Sequence, residues 1–122
     1  MQISLAYGGQ LLGEVDFGAP DERGVRLGTL RPSAAYFPLR PRLQQPMLNL
    51  MQMRGASGEE IRAQLLHEHA QLAAEGLMLI DAAGDRLPTD FLQVTELAPL
   101  DTAPDIVEAI GIQVTARFAP AT

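Results

Sequence analysis

Apolar and polar residues alternate over residues 1–18, and this pattern predicts a β-hairpin whose two strands each bury one face. A pair of adjacent glycines supplies the turn. We expect Ile3 to face Val15 and Tyr7 to face Leu11, because that register places the apolar side chains of both strands on the same face of the sheet.

The middle of the chain changes to a helical periodicity. Over residues 39–53 the apolar side chains recur every three or four positions, but Pro46 lies inside this run, so we expect a kinked helix or two short helices. Ser57 and Glu60 then have the spacing of a capping box, which marks the beginning of a second helix. Gly76 lies where a residue in the left-handed conformation would end that helix.

Further strands and one short helix are predicted after the second helix, where turn-forming residues separate the apolar runs. Residues 18–33, by contrast, are rich in glycine and proline, and we interpret them as a loop that holds at most one short strand, at residues 25–30. The predicted elements of the second half are strands at 77–81, 91–97 and 112–118, a short return strand at 85–87, and a helix at 102–110.

These elements follow one another in the order ββααββ(α)β, which indicates the α+β class. We expect an antiparallel or mixed sheet of about five strands, with the two main helices packed on one face. The length of 122 residues suits a single domain with one core. We place that domain at residues 1–118 and a tail at residues 119–122.

The composition excludes several kinds of chemistry. Without cysteine there is no disulfide, thiolate nucleophile or cysteine-ligated zinc, and without lysine there is no Schiff-base chemistry. No nucleophile–base pattern, metal-ligand motif or cofactor fingerprint is present, so we predict no catalytic residues, no metal and no cofactor. The beginning of the chain lacks the features of a signal peptide, and no apolar run is long enough to span a membrane. We therefore expect a soluble, cytoplasmic protein with no membrane partner.

Charge is distributed unevenly along the chain. The formal net charge is -6, yet residues 23–58 contain no acidic residue and carry a local charge of +6, which leaves -12 on the rest. Either these arginines form one basic face, or they pair with acidic side chains elsewhere in the fold. The six arginines are Arg23, Arg26, Arg31, Arg40, Arg42 and Arg54.

Part of this basic segment combines arginine with aromatic residues and proline. Arginine and aromatic side chains are enriched at interface hot spots, and proline lowers the entropy lost when a segment becomes ordered. Our leading hypothesis is therefore a non-catalytic module that uses residues 23–58 to bind another protein or a second copy of itself, as a homo-oligomer. The alternative is a buried connector that caps the core. The contact residues that we expect are Arg31, Tyr36, Arg40 and Arg42.

Two other functions are compatible with the sequence. On the second helix, Arg62 and His69 fall inside the apolar arc when successive residues are placed about 100° apart. They could line the groove of a small enzyme or an anion-binding domain, where arginine binds the anion and histidine transfers a proton. His67 and His69 point to different sides of that helix and cannot share a metal ion. The arginine segment could also bind nucleic acid, although the negative net charge opposes this.

Overall fold

The computed structural model describes residues 2–119, and within them it contains three α-helices and one antiparallel sheet. The strands are β1 (Ile3–Tyr7), β2 (Gln10–Phe17), β3 (Val25–Pro32), β4 (Met78–Asp81), β5 (Arg86–Leu87), β6 (Thr89–Glu96) and β7 (Ile112–Phe118). The helices are α1 (Arg40–Met51), α2 (Gly58–Glu75) and α3 (Pro104–Ile110), and a 3-10 turn at Phe37–Leu39 precedes α1. The strand order is β5-β4-β1-β2-β3-β7-β6. The α+β class is confirmed, but the sheet has seven strands where about five were predicted, and α3 accompanies the two main helices.

The β1–β2 hairpin combines a two-residue turn with a register shift. The turn glycines have φ values of 56° and 85°. Tyr7 pairs with Gln10, so the predicted pairing of Tyr7 with Leu11 is wrong. One extra residue in β2 then shifts the register, so that Ile3 pairs with Val15 as predicted. The bulge thus reconciles the tight glycine turn with an apolar inner face.

Half of residues 18–33 form a strand: the short strand allowed at residues 25–30 is present and extends to Pro32, and residues 18–24 are loop as expected. β3 runs over Val25–Pro32 in the middle of the sheet and pairs with both β2 and β7. Gly28 lies within this strand opposite Phe17, where a Cβ atom would come within 2.8 Å of the Phe17 ring. The glycine allows β2 and β3 to pack closely at this position. A glycine in such a place cannot be distinguished from a turn glycine by the sequence pattern.

The two ends of the sheet belong to one continuous stretch of chain. β5 pairs with β4 at one end, and after Pro88 the chain continues as β6, which pairs with β7 at the other end. The N–H of Ala119 donates to the carbonyl of Pro88 at 2.9 Å and ties the end of β7 to this corner. The sheet therefore curls until both its edges meet at Pro88. Of the predicted tail, Ala119 is attached to the sheet, and residues 120–122 lie outside the described residues.

Helices α1 and α2 both contact β6 and cover its free edge. The Oε1 atom of Gln44 in α1 accepts a hydrogen bond from the Glu96 N–H, and Nδ1 of His69 in α2 accepts one from the Leu92 N–H, both at 3.3 Å. These side chains occupy N–H groups that an exposed edge strand would offer to another chain.

The helices follow their sequence signals closely. Ser57 and Glu60 form the predicted capping box, and Gly76 ends α2 with a φ of 105°. α1 is one helix that runs through Pro46, rather than two short ones.

The helices and the inner face of the sheet enclose one core. Its largest fully buried side chains are Tyr36, Leu5, Leu12, Leu43, Leu79, Ile112, Val107 and Val114.

Candidate functional site

Most arginines of residues 23–58 are paired, so they do not form one free basic face. Arg26 lies over the ring of Phe118, with 5.5 Å between its guanidinium carbon and the ring centroid. The structure therefore matches the second of the two expectations, in which acidic side chains from other parts of the fold meet these arginines. The ion pairs are Arg23–Asp21, Arg31–Glu14, Arg40–Glu96 and Arg42–Glu75.

Arg40 is the most deeply buried of these arginines, and its pair with Glu96 joins α1 to the end of β6. The two side chains are 5% and 0% exposed. Nε and Nη2 of Arg40 both donate to Oε1 of Glu96. The remaining bonds of the guanidinium go to backbone carbonyls, at 3.0 Å to Pro99, 3.2 Å to Leu100 and 3.1 Å to Thr102. Five bonds use the full donor capacity of an arginine.

Tyr36 completes this buried network. Its hydroxyl donates to Oε2 of Glu96 and accepts a hydrogen bond from Nε2 of Gln44 at 3.4 Å. Burial, and then the neighbouring carboxylate, raise the pKa of the Tyr36 hydroxyl above its usual value, so it remains a protonated donor at neutral pH. Within residues 2–119, every buried side-chain nitrogen and oxygen has a hydrogen-bond partner.

Tyr36 and Arg40 therefore do not reach the surface, although both were expected to contact a partner. Their burial follows from the need of the Glu96 carboxylate for donors, because an unpaired buried charge is costly. Their effect on the surface is indirect. Arg40 donates to three backbone carbonyls of the loop at residues 97–103 and so fixes its position, and Tyr36 binds the same Glu96 carboxylate as Arg40. Leu97, the first residue of that loop, is 88% exposed.

Arg42 stays near the surface and pairs with Glu75 at the end of α2. Its Nε and Nη2 atoms donate to the two carboxylate oxygens at 2.8 and 2.7 Å, and the Tyr7 hydroxyl donates to the same carboxylate. These bonds, the one from Arg42 above all, lower the pKa of Glu75 from 4.5 to about 2. The hydrogen bond to Glu75 also raises the pKa of Tyr7. The cluster links β1, α1 and α2.

Arg31 lies on the outer face of β3, where it is 67% exposed and pairs with Glu14 of β2 at 2.7 Å. Of the four predicted contact residues, Arg31 and Arg42 are thus the two that lie near the surface. Their contact with a partner stays a prediction.

Arg62 and His69 do not line a common groove. His69 stacks on Phe91 with 5.9 Å between ring centroids, and its Nδ1 atom is occupied by the Leu92 N–H. The space beside His69 is mostly apolar and has a volume of about 10 Å³, which is room for at most one water molecule. Arg62 is exposed and lies outside this space. The role that the structure shows for His69 is to accept a hydrogen bond from a backbone N–H group at the edge of β6.

A larger cleft, of about 330 Å³, lies on the outer face of the sheet. Its floor is a row of polar side chains at paired positions on four neighbouring strands. The row consists of Asp16 on β2, Thr29 on β3, Gln113 on β7 and Thr95 on β6. Three aliphatic side chains surround it, with exposed fractions of 55% for Leu27, 88% for Leu97 and 50% for Ile110. We call these seven residues the outer-face cleft.

Two further aliphatic side chains are exposed on α3 and on the loop that precedes it. Ile106 lies one helical turn before Ile110 on α3 and is 48% exposed, and Leu100 on the preceding loop is 42% exposed. Exposed apolar side chains that line one cleft, as Leu27, Leu97 and Ile110 do, are typical of interaction sites.

Asp16 is the one charged side chain in the lining of the outer-face cleft. Within residues 2–119, no arginine or histidine forms an ion pair with its carboxylate. The cation Arg31 lies two residues beyond Thr29 on the same face, but Glu14 already neutralises it. Other exposed acidic residues lie on the adjoining loop and on α3, and they are Asp101, Asp105 and Glu108.

The outer-face cleft could not be predicted from the sequence. Its residues are spread from position 16 to position 113, and only the strand order brings them together. The local signal that was present is weak. Leu27 follows the alternation of β3 on the side opposite the buried Leu30, so an apolar side chain stands where a polar one is usual.

Comparisons of the chain with protein-family models, with curated proteins and with solved structures gave no match. Among residues 2–119, no three histidine, cysteine, aspartate or glutamate side chains come together in a way that could hold a metal ion. None of the helices in this part of the chain has the length and apolar character needed to cross a membrane. A functional proposal therefore depends on the geometry of the site.

Proposed function

We propose that this protein is a non-catalytic interaction module that binds a protein partner at the outer-face cleft. The observation that carries the proposal is the position of Leu97, which is 88% exposed on a loop whose backbone is held by a buried ion pair. A single exposed leucine is ordinary, but Leu97, Leu27 and Ile110 all line one cleft.

The buried Arg40–Glu96 pair supports this interpretation because such pairs contribute little net stability. Replacing a buried ion pair with apolar residues is often neutral or stabilising, so its use here favours a role in fixing geometry. A loop that is fixed before binding loses less conformational entropy on binding. Residues 23–58 then contribute to partner binding in two ways. Arg40 positions the loop at residues 97–103, while Leu27 and Thr29 line the cleft themselves.

The polar groups of the cleft suit binding better than catalysis. General acid–base chemistry needs a positioned group of suitable pKa, most often histidine or a pair of carboxylates. The described lining of the cleft contains one carboxylate, that of Asp16, and no histidine. Its threonine and glutamine side chains are instead neutral hydrogen-bonding groups.

Site-specific photo-crosslinking in the native cells tests the proposal. A photoreactive phenylalanine analogue at position 97 should yield one adduct of defined mass, whereas the same analogue at position 71, which is exposed on α2, should not. The captured protein should bind the purified chain directly. Leu97→Ser should weaken that binding at least about tenfold, which corresponds to about 1.4 kcal/mol.

Folding provides the matched control for the Leu97→Ser variant. Because the side chain is 88% exposed, the free energy of unfolding should change by less than about 0.5 kcal/mol. Loss of binding with unchanged stability assigns the effect to the surface. Unchanged binding, or adducts at both positions alike, contradicts the proposal.

Self-association is the other form of this hypothesis and has its own measurement. Sedimentation at low and high salt distinguishes a homo-oligomer from a monomer. A monomer at every salt concentration leaves a foreign protein as the partner.

A further inference from the structure

We infer that the segment bound at the outer-face cleft is a cationic, aliphatic stretch of another protein, with lysine or arginine four residues from a leucine-like side chain. This inference deepens the proposed function and rests on it. It follows from the charge of the cleft and from the distance between its charged end and its apolar end.

Charge complementarity calls for a cation on the partner. Asp16 is the single charge in the lining and has no ion-pair partner within residues 2–119, and the nearest outer-face cation on β3, Arg31, is held by Glu14. The acidic side chains of α3 and the net charge of -6 add a negative field around the site. Such a field raises the association rate of a cationic partner and disfavours an acidic one.

The width of the sheet sets the spacing between the two anchors. Asp16 lies on β2 and Thr95 on β6, and β3 and β7 lie between them, so the polar row spans three inter-strand distances. At about 4.8 Å each, these distances add up to about 14 Å. Leu97 follows Thr95 by two residues, so the apolar end of the cleft lies at the β6 side.

An extended segment lying along this row advances about 3.4 Å per residue, so four residues cover the same distance. Side chains at positions i, i+2 and i+4 of an extended chain point to one face. A cation at position i therefore meets Asp16, while an aliphatic side chain at i+4 lies over Thr95 and packs against Leu97, which is two residues farther along the chain. The residue at i+2 then lies over Thr29 and Gln113.

A second copy of this chain fits the cleft less well. A two-fold symmetric dimer through this face would bring two Asp16 carboxylates, and two acidic α3 helices, towards each other. Most arginines of the basic segment are already paired within the fold and are not free to neutralise these charges.

A peptide titration of the full chain tests the inference. The probe is acetyl-Gly-Lys-Ser-Ala-Ser-Leu-Gly-amide, its first control carries norleucine in place of lysine, and its second control carries serine in place of leucine. Chemical shifts of the backbone amides at positions 16, 29, 95 and 113 report binding at the cleft. At low salt we expect the lysine to contribute about a two- to fivefold gain in affinity through Asp16, as exposed ion pairs do.

A double-mutant cycle isolates this contribution. Asp16→Asn should remove the advantage of the lysine peptide over the norleucine peptide, whereas Asp85→Asn, which makes the same change in net charge at the turn between β4 and β5, should preserve it. Raising the salt concentration to about 0.5 M should also reduce the advantage. The serine control should bind weakly to every variant.

Three results overturn the inference: equal affinities of the lysine and norleucine peptides, equal effects of Asp16→Asn and Asp85→Asn, or no shift at the cleft with about 10 mM peptide. If position 97 still captures a partner whose binding depends on Leu97, then the proposed function stands and the cationic segment alone is refuted. If Leu97→Ser binds that partner as tightly as the natural chain, the proposed function fails as well.

Discussion

Replacing Arg40 with leucine while Glu96 stays in place should destabilise this fold severely. The Glu96 side chain is 0% exposed, so the variant would retain a buried carboxylate with Tyr36 as its remaining side-chain donor, and three loop carbonyls would lose their donors. Removing one partner of a buried ion pair costs about 3–5 kcal/mol. A domain of this size has a total stability of about 5–15 kcal/mol, so the loss takes a large share of it.

Urea unfolding followed by circular dichroism measures this loss. With a slope of about 2 kcal/mol per molar urea, the midpoint should fall by about 1.5–2.5 M. Arg31→Leu is the matched control, because it breaks an ion pair whose arginine is 67% exposed and should cost less than about 1 kcal/mol. The double variant Arg40→Leu with Glu96→Leu should recover much of the stability, because it removes both charges.

The double variant also separates folding from function. It should fold, but without the guanidinium its loop at residues 97–103 should show faster amide exchange and weaker partner binding. The reasoning is refuted if Arg40→Leu costs no more than Arg31→Leu, since Glu96 would then not be a buried charge that needs its partner. Equal stabilities of the single and double variants would likewise show that the unpaired Glu96 carboxylate is not what destabilises Arg40→Leu.

Three other substitutions test separate parts of the structure. Glu75→Gln should cost no more than about 1 kcal/mol at pH 7, because its ion pair is partly exposed, and urea unfolding should show the difference vanish as the pH falls from 4.5 towards 2. Gly76→Ala should lower the melting temperature more than Gly84→Ala, although both glycines have a positive φ. A Cβ atom at position 76 would lie 2.8 Å from the backbone nitrogen of Gly8, whereas a Cβ atom at position 84 would have no neighbouring atom within 4 Å. His69→Phe keeps an aromatic stack but leaves the Leu92 N–H without its acceptor, so hydrogen exchange at Leu92 should accelerate and the fold should lose about 1–3 kcal/mol.

Elements that depend on local chemistry could be predicted from the sequence. The capping box of Ser57 and Glu60 and the left-handed Gly76 bound α2 because each makes its bonds within a few residues. The alternation of β7 likewise reflects one buried face of one strand. In these cases the information needed for the structure lies in neighbouring residues.

Features that depend on distant partners could not be predicted in the same way. Gly28 is a glycine because Phe17 lies opposite and leaves no room for a Cβ atom, and Gly8 and Gly9 keep a tight turn because a bulge farther along β2 corrects the register. The outer-face cleft is a stronger case, since Asp16 and Thr95 become neighbours only through the strand order. No local pattern contains that order.

The basic segment shows how a local reading of charge can mislead. With no acidic residue between positions 23 and 58, most of its arginines find partners outside the segment: Arg31 pairs across 17 residues, Arg42 across 33 and Arg40 across 56. These pairs join the segment to β2, α2 and β6 in turn. Ion pairs within the fold thus neutralise most of the +6 charge of residues 23–58, and the unpaired charge at the outer-face cleft is negative. The predicted partner surface at residues 23–58 was basic, whereas the outer-face cleft should attract a cation, with Asp16 as the group that would receive it.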